Sequence, residues 1–131
     1  MKTVKDIALE YSLRIWDKKD LSAIDELMSS QVVIHSLLGD FYGTEAMKNV
    51  VEAWLRAFPD LRVQNQHVVA ENNLVMIHWK ASGSHLGVFK GVPPTGKTVS
   101  YAGATLFEIQ NDKIAQYWAY LDINHILSQI Q

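Results

Sequence analysis

Residues 74–85 read LVMIHWKASGSH, and residues 97–109 read KTVSYAGATLFEI. In each run apolar residues alternate with polar or small ones, and a period of two is typical of a β-strand with one buried face. Residues 113–121, KIAQYWAYL, repeat the pattern after Asn111 and Asp112, which predict a hairpin turn. A further strand is predicted over residues 61–70. The second half of the chain is therefore expected to form consecutive antiparallel strands.

The first half of the chain has a different periodicity. Apolar residues recur every three or four positions in three segments, which predicts helices that begin after Thr3, after Asp20 and at Thr44, with Thr44 as a helix cap. A short β-branched strand over residues 32–35 and a hairpin arm at residues 41–42 are expected between the second and third helices.

Helices followed by a meander of strands indicate an α+β fold, and the length of 131 residues indicates one domain over residues 1–131. We expect a cone-shaped, curved antiparallel β-sheet wrapped around the three N-terminal helices, with a final short helix after Asp122. The space between such a sheet and its helices suits a small molecule.

The composition excludes several functional classes. Twelve Lys and Arg against 14 Asp and Glu give a net charge of -2, whereas nucleic-acid-binding proteins usually carry a basic excess. The chain has no cysteine, which excludes disulfides, thiol catalysis and cysteine metal sites. No apolar run is long enough for a membrane span, and residues 1–10 do not resemble a signal peptide. We therefore expect a soluble, cytoplasmic protein with neither a nucleic-acid nor a membrane partner.

Residues 91–98, GVPPTGKT, match the phosphate-binding pattern GxxxxGK followed by Ser or Thr. That loop requires a helix after it, whereas residues 99–107 predict a strand. Pro93 and Pro94 also lack the backbone N–H groups that would bind phosphate. We interpret the segment as a rigid loop that leads into a strand.

Two histidines are the predicted proton carriers, because imidazole titrates near neutral pH. His35 ends a short strand, and His85 ends a long strand whose same face carries Trp79. The alternative is that each histidine only forms a hydrogen bond with a loop. Asp122 is the reserve base, and its alternative role is the N-cap of the last helix. The spacing of the histidines and carboxylates matches no common metal site, so no metal is expected.

Aromatic side chains in the strand half are the candidate ligand contacts, because such rings line apolar pockets with polar tips. The predicted ligand-binding residues are Trp79, Tyr101, Thr105, Tyr117 and Phe89. Tyr117 and Ala119 lie on one face of the last strand, and Trp118 and Tyr120 lie on the other. The sequence leaves open which face meets the cavity, because a shift of one residue in register exchanges the two faces.

Three segments resemble a known family: residues 83–99, GSHLGVFKGVPPTGKTV; residues 107–114, FEIQNDKI; and residues 118–122, WAYLD. They are similar to the SnoaL-like polyketide cyclase group of the nuclear transport factor two-like superfamily. The resemblance implies an α+β cone with a pocket, a homodimer formed through the outer sheet face, and no metal or organic cofactor. It also implies aldol ring closure of a polyketide ester, with an aspartate as the acid and base.

The resemblance assigns His35, His85 and Asp122 to matching positions of the group. The catalytic carboxylate of its cyclases directly follows the tryptophan, where this chain has Ala119, which cannot transfer a proton. We therefore expect a small, apolar, oxygenated ligand in the cone, with cofactor-free cyclase or isomerase chemistry next to a carbonyl as one hypothesis. The alternatives are a non-catalytic ligand-binding module and a structural dimerisation domain.

Overall fold

A computed structural model of the protein describes residues 2–36 and 39–131. The helices are α1 (Val4–Ser12), which continues into a π-helical segment (Leu13–Asp17), α2 (Ser22–Leu27), α3 (Thr44–Ala57) and α4 (Ile123–Ile130). The strands are β1 (Met28–Ser36), β2 (Gly39–Tyr42), β3 (Arg62–Glu71), β4 (Leu74–Ser84), β5 (Thr98–Gln110) and β6 (Lys113–Leu121).

The strands form a single curved sheet in the order β2-β1-β6-β5-β4-β3. The predicted α+β class is confirmed, and the consecutive hairpins from β3 to β6 are antiparallel as expected. One pair departs from the antiparallel pattern: β1 lies parallel to β6, with Ile34 opposite Tyr117. The departure arises because these two strands are not joined by a hairpin but by most of the chain.

The N-terminal helices cover the concave face of the sheet. Ile7, Tyr11 and Ile15 from the first helical segment are buried against Ile77 of β4 and Phe107 of β5. Their spacing of four residues gives the helix one apolar face, which accounts for its position on the sheet.

Local capping decides where the helices begin. Thr3 caps α1: its hydroxyl accepts a hydrogen bond from the Asp6 N–H at 3.1 Å, and the Asp6 carboxylate accepts one from the Thr3 N–H at 3.0 Å. The prediction that Thr44 caps α3 is wrong. Gly43 holds that position, with a φ of 90° that favours glycine, and Thr44 is the first helical residue.

A second apolar cluster joins the end of α3, the loop after β4 and α4. Phe58 and Phe89 pack there with Ile126 and Ile130 of the last helix. The Ala57 carbonyl accepts hydrogen bonds from two consecutive loop N–H groups, those of residues 86 and 87, at 3.1 Å each. None of the helices in the described part of the chain is both long and apolar enough to cross a membrane.

Candidate functional site

A cavity of about 350 Å³ lies between the concave face of the sheet and the helices. The lining is largely apolar, and α3 and the sheet contribute most of it. It comprises Ser12, Trp16, Ile34, Ser36, Phe41, Ala46, Asn49, Val50, Ala53, Trp54, Leu61, Val63, Ile77, Trp79, Tyr101, Thr105, Phe107, Tyr117, Ala119, Leu121 and Ile123. This lining, drawn from the described residues, contains no Asp, Glu, His, Lys or Arg side chain.

Strand alternation determines which side chains of β6 meet the cavity. Tyr117, Ala119 and Leu121 line it, and the residues between them face outward. The register shifts between Glu108 and Ile109, next to the turn that joins β5 to β6. This irregularity fixes the face that the sequence left open.

Most of the predicted ligand contacts lie in the cavity wall. Trp79, Tyr101, Thr105 and Tyr117 line the cavity. Phe89 does not belong to the lining, because it is buried one layer further out, with its ring centroid 5.2 Å from that of Trp54.

The central polar group of the wall is a hydrogen-bonded pair. The Trp79 indole Nε1–H donates to the Thr105 hydroxyl at 2.9 Å. Gly103 makes this pair possible, because a Cβ at that position would lie 2.6 Å from the Trp79 ring and 2.6 Å from the Tyr120 carbonyl oxygen. The absence of a side chain at Gly103 therefore lets the indole cross β5 and reach Thr105.

Two phenols and the side chain of Ser36 are the other polar groups on the sheet side of the lining. Burial raises the pKa of Tyr117 to about 12, and an interaction with the Thr105 hydroxyl opposes part of this rise. Burial also raises the pKa of Tyr101. Both phenols are therefore neutral at physiological pH, and each offers a cavity ligand an uncharged O–H group.

The Tyr117 ring is fixed by edge-to-face aromatic packing. Its centroid lies 5.5 Å from that of Phe107 and 6.3 Å from that of Tyr11. Tyr11 is fully buried, and its hydroxyl has no hydrogen-bond partner among the described residues. Sequence reasoning assigned Tyr11 only to the apolar face of α1 and missed its contact with the cavity wall.

The structure directs His35 away from the cavity. Its neighbour Ile34 lines the cavity, so alternation along β1 points the His35 ring to the outer face of the sheet. Nδ1 lies 3.0 Å from Asp40 Oδ1, and Nε2 lies 3.0 Å from Gln116 Oε1. These acceptors raise the pKa of His35, with Gln116 contributing most, while partial burial opposes the rise.

His85 is fully buried but also lies outside the cavity lining. Strand β4 ends at Ser84, so the alternation that turns Trp79 inward does not extend to His85. Its Nδ1 accepts a hydrogen bond from the Thr95 N–H at 3.2 Å and lies 2.9 Å from the Thr95 hydroxyl. In the described structure His35 and His85 therefore do not face a common cavity. The contacts of His85 with Thr95 stabilise the loop between β4 and β5 instead.

Asp122 caps the last helix. Its carboxylate accepts a hydrogen bond from the His125 N–H at 3.2 Å, which confirms the N-cap interpretation. Leu121 and Ile123 on either side of it line the cavity, but Asp122 does not.

The remaining histidines lie on the surface. His67 and His78 pair across β3 and β4, with their Nδ1 atoms 3.1 Å apart. Within residues 2–36 and 39–131, no three His, Asp or Glu side chains come together as a set of metal ligands.

Sequence reasoning missed the helical side of the site. Ala46, Asn49 and Ala53 of α3 line the cavity beside Val50, which the periodicity correctly placed on the apolar face of this helix. Their spacing of three and four residues is a detectable signal, since a polar Asn between small residues on one side of a helix leaves room beside the sheet.

The family model for SnoaL-like polyketide cyclases matches residues 6–130. The chain belongs to this family. The resemblance inferred from the loop between β4 and β5 and from the end of β6 is therefore confirmed. The comparison with curated proteins gives no match.

Three solved structures have the same fold. AclR, a proposed hydroxylase from Streptomyces galilaeus, is 28% identical, with a TM-score of 0.85, and the match covers 97% of this chain and 80% of AclR. IdmH, a proposed polyketide cyclase from Streptomyces antibioticus, is 25% identical, with a TM-score of 0.83 and 98% of both chains covered. A SnoaL-like protein from Jannaschia sp. CCS1 is 21% identical, with a TM-score of 0.88, and the match covers 99% of this chain and 95% of that one.

Proposed function

We propose that this SnoaL-like protein binds a small, neutral, largely apolar and oxygenated molecule in its cavity. One observation carries the proposal: the cavity wall combines aromatic rings with uncharged polar tips and contains no carboxyl, imidazole, amine or guanidinium group among the described residues. A charged ligand would lose its hydration there without gaining an opposite charge, and such a loss costs several kcal/mol or more. Aromatic ketones of the polyketide type match the polarity of this wall, because their rings are apolar and their carbonyl oxygens accept hydrogen bonds from its polar tips.

The chemistry available to this wall is hydrogen bonding and orientation. Proton transfer at a carbon next to a carbonyl requires a base of suitable pKa, and the lining offers only phenols that are protonated at neutral pH. We therefore propose binding as the primary function and assign no proton-transfer step to His35, His85 or Asp122.

The family membership and the likeness to IdmH favour a second candidate function, ring closure of a polyketide-like substrate. In this site the protein would hold the reacting carbons close together, and the protons would move between the substrate and water. Holding two reacting groups in position can by itself lower a barrier by several kcal/mol.

We also propose a homodimer formed through the outer face of the sheet. Val69 of β3 and Tyr120 of β6 on this face are 65% and 50% exposed, and the half-buried Trp118 lies two residues before Tyr120 on the same face of β6. Burial of such side chains against a second copy would stabilise the pair. Light scattering on the purified protein should give twice the monomer mass, and Tyr120→Lys should lower the fraction of dimer.

The binding proposal can be tested with three naphthalene derivatives that differ in charge: neutral 2-acetonaphthone, anionic 2-naphthoate and cationic 2-naphthylmethylamine. Trp16, Trp54 and Trp79 line the cavity, so tryptophan fluorescence reports occupancy. We expect saturable binding of the neutral probe and at least tenfold weaker binding of both ions.

A matched pair of variants locates the binding. Ala53→Trp fills the cavity from α3, whereas Glu52→Trp adds the same ring at the neighbouring exposed position. Ala53→Trp should abolish binding and Glu52→Trp should retain it. Equal affinity for the ions and the neutral probe, or equal behaviour of the two variants, would overturn the proposal.

A further inference from the structure

We propose that Tyr117 is the hydrogen-bond donor that selects a carbonyl-bearing ligand, and that Trp79 and Thr105 act as positioning residues that orient its proton. The inference rests on the proposed function, since it names the chemical group that the bound molecule presents. The ligand class it specifies is an aromatic ketone, quinone or ester whose carbonyl oxygen meets the Tyr117 hydroxyl.

The direction of the hydrogen bonds follows from the chemistry of the indole. A tryptophan Nε1–H can donate but cannot accept, so Thr105 must accept from Trp79 at 2.9 Å. The Thr105 hydroxyl keeps its own proton for a second partner, and the Tyr117 phenol, its diagonal neighbour on the cavity face of the sheet, is within reach. When Thr105 donates to the phenol oxygen, the proton of the Tyr117 hydroxyl is not used in that bond and can be donated to another acceptor.

The sheet register brings these groups together on one face. Thr105 lies opposite Ala119, and Tyr117 lies two residues before Ala119 in β6, opposite Phe107. Such diagonal neighbours on one face of an antiparallel pair are within reach of a long aromatic side chain. Both Thr105 and Tyr117 line the cavity, so the free proton of Tyr117 is available to a molecule inside it.

Packing holds the donor in place. The edge-to-face contacts of Tyr117 with Phe107 and Tyr11, at 5.5 and 6.3 Å, restrict rotation of its ring. A donor that is already oriented loses little entropy when it binds an acceptor. The chain from Trp79 through Thr105 also polarises the phenol, since hydrogen bonds in series strengthen one another.

The surroundings make this donor selective. With no cation in the described lining, a carboxylate ligand gains no charge partner, whereas a carbonyl oxygen gains a neutral hydrogen bond at little desolvation cost. A hydrocarbon of the same shape would leave the buried O–H group of Tyr117 without a partner, which is unfavourable.

The test compares two probes of nearly equal shape, 2-acetonaphthone and 2-ethylnaphthalene, by fluorescence titration. We expect the wild type to bind the ketone more tightly, and Tyr117→Phe to weaken ketone binding by roughly 3- to 10-fold while hydrocarbon binding stays the same or becomes tighter, because no unpartnered O–H group is left. Tyr101→Phe tests the other phenol of the cavity wall as the rival donor, and Tyr42→Phe, at an exposed residue outside the lining, is the control that should bind both probes as the wild type does.

The positioning role has its own readout. The carbonyl stretching frequency of carbonyl-¹³C-labelled 2-acetonaphthone should fall on binding to the wild type and rise towards its value in alkane solution in Tyr117→Phe. Thr105→Val keeps the shape but removes the hydroxyl, and it should give an intermediate frequency that Thr105→Ser restores to the wild-type value. Circular dichroism of each variant checks that it is folded.

The outcomes separate the two proposals. If both probes bind the wild type equally, or if Tyr101→Phe rather than Tyr117→Phe removes the preference, this inference is overturned while the binding proposal stands. If neither probe binds the folded wild type, the proposed function itself fails. An unchanged carbonyl frequency in Thr105→Val would overturn the positioning role of Thr105.

Discussion

The imidazole of His35 lies flat against the indole of Trp118, with ring centroids 4.9 Å apart and ring planes 12° apart. The two residues face each other across the parallel pair of β1 and β6, on the side of the sheet opposite the cavity. A protonated imidazole on an indole face is also favoured electrostatically. This stack and the hydrogen bonds to Asp40 and Gln116 let His35 connect its own strand, β1, to β2 and β6.

The raised pKa of His35 predicts that stability depends on pH. Both ring nitrogens face oxygen acceptors, so the folded state favours the imidazolium form. This contribution is fully present below the unfolded-state pKa of about 6.5 and is lost as pH rises through the higher folded-state pKa. In urea unfolding, the stability difference between wild type and His35→Gln should shrink between about pH 5.5 and 8.5. A difference that is independent of pH would contradict this.

His85→Ala should destabilise the protein without removing a ligand contact. The substitution empties a fully buried position and leaves the Thr95 N–H without its acceptor, for an expected loss of about 2–4 kcal/mol in the free energy of unfolding. Urea denaturation measures the loss, and Thr95→Ala, which keeps the backbone donor, should cost less. Probe affinity of the folded variant should stay within about twofold of wild type; a larger loss would assign His85 to the site.

Asp122→Ala tests whether Asp122 acts as the N-cap of α4 rather than as a catalytic base. Removal of an N-cap side chain typically costs about 0.5–2 kcal/mol, and Asp122→Asn should retain most of that stability because its amide oxygen still accepts the His125 N–H. Chemical denaturation of the two variants gives the comparison. Asn and Ala variants that are equally stable would argue against the cap.

Gly103→Ala should displace the Trp79 indole. A methyl group 2.6 Å from the ring requires the indole to move. The methyl group itself cannot shift away, because it would also lie 2.6 Å from the Tyr120 carbonyl oxygen. We expect a loss of about 1–3 kcal/mol in stability and a changed near-ultraviolet circular dichroism signal. Ala102→Gly, a substitution at the adjacent exposed residue, serves as the control, and its near-ultraviolet spectrum should match that of the wild type.

Ala119→Asp would introduce a carboxylate into an apolar wall. Burial favours the neutral acid, so the folded-state pKa of this carboxyl should exceed the unfolded value of about 3.9. Stability should therefore fall as pH rises above about 4 and level off above the folded-state pKa, and Ala119→Asn should show no such slope. Urea unfolding of both variants between about pH 4 and 8 provides the measurement.

Periodicity predicted the elements of this fold, but not the direction in which single side chains point. The alternation in β4 and β5 correctly grouped Trp79 with Tyr101, because both strands are regular hairpin partners. Tyr117 was left open because the irregularity beside the β5–β6 turn decides its face, and such a shift has no clear sequence signal. His35 was misdirected because its position depends on pairing with β6, about 80 residues away in the chain, which local patterns do not encode.

That distant pairing also sets an order of events during synthesis. Strand β1 pairs with β2 soon after both are made, yet its other neighbour in the sheet is the last strand. Until residues 114–118 leave the ribosome, the β6 side of β1 is unpaired and the cavity lacks the wall that carries Tyr117. A nascent chain halted before β6 would therefore expose apolar surface from its helices and first strand, and ligand-binding competence would arise only as translation ends.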